Sequence, residues 1–453
     1  SGERSAAALA ETTLARIRGP ASHLNAFVAL LPDENIMAQA ALVDARVARG
    51  EDPGALAGVM VGVKDLEDVH GLPTRFGSAL WMDAPAATRD SLMVTRMRAA
   101  GAIIVGKTST PEFGCKGVTD SPAFGFTANP WNPAYSPGGS SGGSAAALAA
   151  GLLPLATGSD GGGSIRIPAA MCGLSGFKAS QGRVPLADPG APTTGVLAVR
   201  GPMARSLRDT VIALDVVRGD ASCDIYGLPD EPGSWLAAFD ARRLPPRVIW
   251  SPTLGYAQVD DGVRAVCEAA LDELRRAGVE VVEHDRVLHS HPLVHWWNLW
   301  TAAMARKLGD RMATDDRDRI DPALRGMIEF GLQVSGADYA RAMDACHDYN
   351  VQLEACFAEH ETPLLLTPTV AGRAPRAGEP GVINGIPTAA WVEMTFGLNM
   401  TRSPVATIHA GTDPDGLPVG LQVIGRQRAD VAVLCAAGCF EDVLGGPGRA
   451  PFP

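Results

Sequence analysis

The stretch SPGGSSGGSAAALAAGLLPLATGSDGGGSIRIPAAMCGLSGFKAS, residues 136–180, contains two glycine–serine segments. The first is GGSSGGS at 138–144, and the second is DGGGS at 160–164. A small-residue helix pattern and a short apolar segment typical of a strand lie between them. Because glycine has no Cβ, several backbone N–H groups of such a segment can point at one place and bind an oxyanion. Two serines beside such a site predict a hydrolase, provided that a base is available.

A lysine at the end of an apolar segment is the candidate base. Lys64 follows residues 58–63, in the sequence VGVKDL at 61–66. Burial disfavours the ammonium form and lowers the pKa of a lysine, which is what a lysine base requires. The alternative interpretation is an ordinary ion pair of Lys64 with Asp65 or Asp68.

The chain resembles the amidase signature family, whose members use a Ser–cis-Ser–Lys triad. The resemblance rests on GVKD around Lys64, PGGSSGGS around Ser140 and GSDGGGSIRIPA around Ser164. It covers residues 56–183 and returns in LPVGLQVIG at 417–425. It implies an amidase that hydrolyses a carboxamide C–N bond to an acid and an amine or ammonia, with neither a metal nor an organic cofactor.

The resemblance also implies a role for each residue of the triad. Ser164 is expected to be the nucleophile that becomes acylated, Ser140 the proton relay and Lys64 the base. The peptide bond before Ser140 is expected to be cis. The oxyanion hole is expected to use backbone N–H groups of Ser164 and of the three glycines before it, Gly161, Gly162 and Gly163. Family members often carry a larger residue where this chain has Gly161.

Three further residues are expected to support the site. Ser141 would stabilise the first loop, while Asp160 and Arg166 would hold the second loop by charge-assisted hydrogen bonds. A surface ion pair is the alternative interpretation for Asp160 and Arg166. The residues expected near the substrate are Cys115, Lys116, Asn129, Trp296 and Trp300. Core packing is the alternative for the two tryptophans, which share one helix face at i,i+4.

Strand and helix patterns alternate along the chain. They predict an α/β fold, with a single large mixed β-sheet flanked by helices. Strands at 247–251 and 279–283 enclose a helix at 261–277, which predicts a parallel βαβ unit. Residues 287–359 have few strand signals and predict a helical cap within one domain of residues 1–453.

Composition excludes several classes of function. The net charge of −11 argues against a nucleic-acid-binding surface. The eight cysteines include no CxxC pair, which indicates reduced thiols in a cytoplasmic protein. No apolar segment is long enough to cross a membrane, and the N-terminal segment predicts an amphipathic helix rather than a signal peptide. We expect a small-molecule amide or carbamate as the partner, and analogy within the family suggests a homodimer.

Two other motifs are set aside. GAIIVGKT at 101–108 fits the phosphate-loop pattern, but a helix pattern precedes it and its inner residues read as a strand. Four histidines lie close together, but their spacings suit no single closed metal site. They are His284, His289, His291 and His295.

Three alternative functions stay open. A carbamate or aryl ester hydrolase would use the same triad and the same kind of tetrahedral intermediate. The glutamine-hydrolysing subunit of a tRNA-dependent amidotransferase shares the triad but needs partner subunits. A non-catalytic binding protein on the same scaffold is the alternative from another class.

Overall fold

The glycine–serine stretch forms a helix, a strand, a helix and a strand in the computed structural model, which describes residues 4–19, 21–187 and 195–452. The first serine loop leads into the helix Gly142–Ala149, and the apolar segment forms the strand Leu155–Asp160. The second glycine loop leads into the short helix Arg166–Met171, which precedes the strand Gly176–Lys178. Almost all residues of these elements are buried, because small side chains allow the segments to pack closely.

The helices and strands of the described residues have the following bounds. The α-helices are α1 Ala6–Arg18, α2 Asp33–Ala48, α3 Leu92–Ala99, α4 Gly142–Ala149, α5 Arg166–Met171, α6 Leu207–Val217, α7 Trp235–Asp240, α8 Asp261–Arg276, α9 Leu293–Leu308, α10 Pro322–Gly331, α11 Gly336–Glu359, α12 Glu393–Met400 and α13 Asp430–Val443. The strands are β1 Phe27–Leu30, β2 Met60–Lys64, β3 Ile103–Thr108, β4 Asp120–Ser121, β5 Gly125–Phe126, β6 Leu155–Asp160, β7 Gly176–Lys178, β8 Val199–Ala204, β9 Arg247–Trp250, β10 Glu280–Glu283, β11 Leu364–Pro368, β12 Val382–Ile383, β13 Ile386–Pro387, β14 Val405–Thr412 and β15 Pro418–Gly425.

The main strands pair in two mixed sheets. One sheet has five strands in the order β1-β3-β2-β6-β8, and the other has six in the order β10-β9-β11-β15-β14-β7. The α/β class is confirmed, but the prediction of one single sheet needs a correction. Strand β7 begins only after Ser175, so the two sheets are linked at their edges by an isolated bridge between Ser175 and Ala204.

The predicted parallel βαβ unit is confirmed. Strands β9 and β10 pair in parallel, with Glu280 opposite Arg247. Helix α8 connects them and begins at Asp260, whose side chain accepts hydrogen bonds from the N–H groups of Gly262 and Val263. Its buried residues recur at helical spacing, which places one apolar face against the sheet.

Residues 287–359, all of which are described, contain helices and loops but no strand. The structure has three α-helices here instead of the two long helices that the pattern indicates. The additional helix, α10, is only ten residues long and begins with Pro322 after the capping residue Asp321. The assignment of this segment as a cap within one domain stays a prediction.

Helices α1 and α2 lie before and after β1 in the chain, in agreement with the helical patterns near the N-terminus. Ser5 caps α1 by accepting a hydrogen bond from the N–H of Ala8. Within the described ranges, no helix combines the length and the apolarity that crossing a membrane requires.

Two glycines inside helices test how closely the elements pack. A Cβ atom on Gly143 in α4 would lie 2.3 Å from the backbone nitrogen of Ser109, whereas a Cβ on Gly326 in α10 would have no atom within 4 Å. We expect Gly143→Ala to lower the melting temperature strongly, because backbone would have to move. The matched variant Gly326→Ala should be neutral or more stable by up to about 1 kcal/mol, because alanine favours a helix. Thermal unfolding followed by circular dichroism would measure both, and equal melting temperatures would contradict the prediction.

Candidate active site

Lys64 points at three hydroxyl groups, two from the first glycine–serine loop and one from strand β6. It is the last residue of β2 and is completely buried. Its Nζ donates to Ser140 Oγ and to Ser141 Oγ at 2.8 Å each, and to Ser159 Oγ at 3.0 Å. Sequence analysis did not single out Ser159, which lies in β6 directly before Asp160.

The surroundings of Lys64 favour the neutral amine. Burial lowers the pKa of Lys64 to about 7, although the carboxylates of Asp160 and Glu67 oppose the shift. The alternative interpretation, an ion pair with Asp65 or Asp68, does not hold, because the three partners of Lys64 Nζ are hydroxyl groups. Asp65 Oδ1 instead lies 3.1 Å from the Nζ of Lys107, which is also buried.

The first serine loop has the backbone geometry that the resemblance implies. The Gly139–Ser140 peptide bond is cis, which confirms the expectation. A Cβ on Gly139 would lie 2.5 Å from the carbonyl oxygen of Val118, so only glycine fits there. The N–H of Ser141 donates to the carbonyl of Ser164 at 3.2 Å, which joins the two loops. The supporting position predicted for Ser141 agrees with this contact and with its hydrogen bond from Lys64.

Ser164 lies where the second glycine loop meets α5. Its side chain and that of Ser140 line the same small cavity, of about 90 Å³, together with Ser159 and Gly161. Ser140 and Ser164 thus border the same space, but within the described part of the chain their side chains make no direct hydrogen bond to each other. The cavity thus brings the three predicted triad residues together, because Lys64 already contacts Ser140.

The carbonyl groups of the second glycine loop are held from outside the loop. The carbonyl oxygens of residues 160–162 accept hydrogen bonds from Asn399 Nδ2 at 2.9 Å, Trp296 Nε1 at 2.9 Å and Thr395 Oγ1 at 2.6 Å, in that order. In a trans peptide the N–H of the next residue points away from the carbonyl. Fixing these carbonyl groups therefore fixes the direction of the N–H groups that follow them.

The predicted oxyanion hole needs one correction. The N–H of Gly163 donates to Asp160 Oδ1 at 2.8 Å, so this donor is already used within the loop. Gly163 has a φ of 122°, which is a conformation that glycine adopts far more easily than other residues. The remaining candidate donors for an oxyanion are the N–H groups of Gly161, Gly162 and Ser164.

Asp160 and Arg166 form a fully buried ion pair, as predicted, rather than a surface pair. Arg166 Nε lies 2.9 Å from Asp160 Oδ2, and Arg166 Nη2 lies 3.0 Å from Asp160 Oδ1. Burial alone would raise the pKa of Asp160, but the Arg166 guanidinium and a hydrogen bond from Asn399 hold it well below its usual range. Arg166 also donates to Gln422 Oε1 and to Asn399 Oδ1, at 2.8 and 2.7 Å.

Sequence analysis missed Thr395, Asn399 and Gln422. Thr395 and Asn399 lie one turn apart on α12, where no glycine–serine pattern marks them. Gln422 lies in the segment LPVGLQVIG, whose resemblance to the family was the one signal that could have drawn attention to it.

A second cavity, of about 610 Å³, opens on another side of Ser164. Aromatic side chains form much of its wall: Trp296, Trp297, Trp300, Trp391 and Phe396. The rings of Trp296 and Trp300 stack with centroids 5.3 Å apart and an angle of 15°. The two predicted tryptophans therefore line the cavity, and Trp296 also holds the glycine loop.

The loop glycines and these two indoles fit tightly together. A Cβ on Gly161 would lie 2.7 Å from Trp300 Cζ3, and one on Gly162 would lie 2.6 Å from Trp296 Cζ2. A larger residue at the position of Gly161 would therefore require Trp300 to move.

The other residues that were predicted to bind the substrate differ in whether they line the large cavity. Cys115 and Lys116 line the large cavity. Burial raises the pKa of the Cys115 thiol strongly, which does not suit a nucleophile. Lys116 is paired with Asp120 and, at 2.7 Å, with Asp321.

Asn129, which was predicted near the substrate, lines neither of the two cavities beside Ser164. Its Nδ2 donates to the carbonyls of Ser136 at 3.1 Å and Met171 at 2.9 Å. Its Oδ1 accepts from the N–H of Trp131 at 3.0 Å. Asn129 is fully buried and used by the backbone around it, so its amide stabilises the loop before the first serine segment.

The motifs that sequence analysis set aside have structural roles. Residues 103–108 form strand β3, which confirms that the phosphate-loop pattern is accidental. Within the histidine-rich segment, His291 Nε2 lies 3.2 Å from Glu393 Oε2, whereas His284 packs against the ring of His360. These histidines therefore have separate surroundings.

Comparison with known proteins agrees with the resemblance in the sequence. The sequence model of the Amidase family matches residues 8–434. An acylamidase of Rhodococcus erythropolis is 34% identical over 453 aligned positions, covering 96% of this chain and 91% of the relative.

Solved structures give the same result. A bacterial aryl acylamidase of the amidase signature family has a TM-score of 0.89 and 28% identity, over 98% of this chain and 96% of the other. A 6-aminohexanoate cyclic dimer hydrolase with its substrate has a TM-score of 0.87 and 28% identity, over 100% of this chain and 96% of the other. The chain therefore belongs to the amidase signature family, whose members are hydrolases that act on amide C–N bonds.

Proposed function

We propose that this protein is a serine amidase that hydrolyses acylamides with a bulky aromatic group through an acyl-enzyme on Ser164. The observation that carries the mechanism is the 2.8 Å hydrogen bond from a buried Lys64, with a pKa of about 7, to Ser140 Oγ. A neutral lysine at this place can accept a proton from Ser140 near neutral pH.

In the acylation step, Ser164 Oγ attacks the amide carbonyl carbon and its proton passes to Ser140, whose own proton passes to Lys64. The carbonyl oxygen becomes negatively charged and accepts hydrogen bonds from the N–H groups of Gly161, Gly162 and Ser164. One such donor contributes about 3–4 kcal/mol to the stabilisation of the transition state. The C–N bond then breaks, and the leaving nitrogen takes the proton back from Lys64 through Ser140.

In the deacylation step, a water molecule attacks the ester carbonyl of the acylated Ser164. Its proton passes through Ser140 to Lys64, and a second tetrahedral intermediate forms. When the C–O bond to Ser164 breaks, the proton returns along the same path to Ser164 Oγ. The products are a carboxylic acid and an amine, and the enzyme returns to its starting state.

The shape and chemistry of the large cavity support an aromatic substrate. Its 610 Å³ leave ample room for a substituted benzene ring, and the stacked indoles of Trp296 and Trp300 offer flat apolar surfaces. The similarity to an acylamidase and to an aryl acylamidase supports the same substrate class. An aryl carbamate or ester would pass through the same kind of intermediate, and both belong in the test.

A substrate panel tests the nucleophile and the substrate class together. We expect release of amine from anilides to exceed release from small aliphatic amides and from glutamine, with an aryl carbamate and a p-nitrophenyl ester as further members. Ser164→Ala should lower every measured rate by more than about 1,000-fold, because no acyl-enzyme can form. Wild-type-like activity of Ser164→Ala would refute the assignment. A preference for glutamine would favour the amidotransferase subunit, and labelling of Ser164 by a phosphonate would argue against a non-catalytic protein.

The pH profile tests the base. Below pH 7 Lys64 is protonated and cannot accept a proton, so kcat/KM should fall about tenfold per pH unit and should level off above pH 7. The matched control is Lys178, also buried with a pKa of about 7, whose Nζ donates to the carbonyl of Ser403. Lys178→Met should keep the midpoint near 7, whereas Lys64→Met should lose activity at every pH. If the midpoint moved in Lys178→Met instead, Lys64 would not be the group that titrates.

Two tryptophan variants distinguish an effect on the oxyanion hole from an effect on the cavity wall. Trp296→Phe keeps an aromatic ring but removes the hydrogen bond to the Gly161 carbonyl, and kcat should fall about 10- to 100-fold for anilides and aliphatic amides alike. Trp297 lines the same cavity, and Trp297→Ala should mainly raise KM for anilides. A Trp296→Phe enzyme with unchanged kcat would mean that Trp296 serves only as a wall.

A further inference from the structure

Three side chains outside the active site have the composition of a transition-metal site. His284 follows the edge strand β10, whereas Cys356 and His360 lie at the carboxyl end of α11. Each side chain offers one ligand atom: an imidazole nitrogen from each histidine and the sulfur of the cysteine. These three atoms lie within 4.8 Å of one another. Cys356 and His360 are four residues apart, which places them on one face of the helix.

These side chains have free ligand atoms. The Nε2 atom of His360 is buried and has no hydrogen-bond partner among the described residues. A buried polar atom without a partner costs free energy that a metal ion would recover. Cys356 is 4% exposed and packs in the second core cluster.

His284 is oriented in a way that suits a ligand. Its Nε2 lies 3.2 Å from the carbonyl oxygen of Arg286. If that nitrogen carries the proton and donates to the carbonyl, Nδ1 keeps its lone pair and can bind a metal. Metal-binding histidines usually have such a partner on the other ring nitrogen.

The end of helix α11 also favours a cation. The carboxyl end of a helix carries partial negative charge, and both α11 residues lie in or directly after its last turn. Burial, with a smaller contribution from Glu359, raises the pKa of Cys356 to about 11, so the thiol is protonated without a metal. Arg247 donates to the carbonyl of His360 at 3.2 Å, but its positive charge is paired with Glu280 at 2.8 Å.

We propose that His284, Cys356 and His360 bind one Zn²⁺ ion, with a water molecule as the fourth ligand. Thiolate and imidazole are ligands for zinc and not for Mg²⁺ or Ca²⁺. Zinc–ligand bonds of about 2.0–2.3 Å need ligand atoms about 3.5 Å apart, so small side-chain rotations close the site. On binding, the S–H bond of Cys356 breaks, the thiolate bonds to the ion and the proton leaves to water.

This site would join the segment 287–359 to the edge of the six-stranded sheet. His284 is the one member of the histidine-rich segment that takes part, and its partners come from a helix more than 70 positions further along the chain. That separation explains why spacing within the histidine-rich segment gave no metal prediction. The proposal is independent of the amidase mechanism, because none of these residues lines either cavity beside Ser164.

A cobalt titration tests the site without reference to activity. The full chain, reduced and treated with a chelator that is then removed, is titrated with Co²⁺. We expect the visible bands of tetrahedral cobalt and a near-ultraviolet thiolate-to-cobalt band that saturate at one equivalent, and Zn²⁺ should abolish both. Cys356→Ser should lose the thiolate band and bind Zn²⁺ at least about 10- to 100-fold more weakly. The matched control Cys346→Ser removes another buried thiol of α11 and should keep the band.

Thermal unfolding provides the second measurement. Zn²⁺ should raise the melting temperature of the wild type and of Cys346→Ser, but not that of Cys356→Ser or His284→Gln. His284→Gln changes a half-buried side chain at the end of a strand, so it serves if Cys356→Ser does not fold. Failure of the wild type to show the bands at one equivalent, or their persistence in Cys356→Ser, would overturn the proposal.

Discussion

The arrangement of the site depends on the burial of one amine among hydroxyl groups. Lys64 is surrounded by Ser140, Ser141 and Ser159, and its side chain is completely buried. Strand β2 provides the lysine, the loop before α4 provides Ser140 and Ser141, and strand β6 provides Ser159. Desolvation weakens the ammonium form, and the hydroxyls can pair with the amine in either protonation state. The packing of β2, β6 and the first serine loop therefore sets up proton transfer at this point, since the loop and β6 both bring hydroxyl groups to the same nitrogen.

The second constraint is the buried charge pair of Asp160 and Arg166. A buried ion pair is costly unless hydrogen bonds satisfy its remaining atoms, and here Asn399 and Gln422 do so. The pair also fixes the glycine loop, because Asp160 accepts from the N–H of Gly163. A segment that is rich in glycine would otherwise be mobile, yet its carbonyls and one N–H are held in place. Oxyanion stabilisation requires this order before substrate arrives.

The fold class and the triad residues could be predicted from the sequence because their signals lie in short, continuous segments. The three triad residues lie in short glycine-containing segments, and a few neighbouring residues are enough to indicate their chemistry; they are Lys64, Ser140 and Ser164. The alternation of helix and strand patterns predicts the α/β class. Thr395, Asn399 and Gln422 could not be found in this way, since their roles arise only when distant segments meet the loop. The roles predicted for Asn129 and Gly163 do not match their observed hydrogen bonds, for a related reason. A polar group near a site in sequence can already be used by neighbouring backbone, and only the three-dimensional structure reveals that.

The fit between the loop glycines and the indoles of α9 has an evolutionary consequence. Gly161 leaves room for Trp300, and Gly162 leaves room for Trp296, so loop and cavity wall occupy one shared volume. A side chain can be gained at either glycine only if the facing indole is displaced or replaced first or at the same time. The order of substitutions is therefore restricted, and the two positions of each pair are epistatic. A change in the catalytic loop of this protein is therefore tied to a change in the wall of its large cavity.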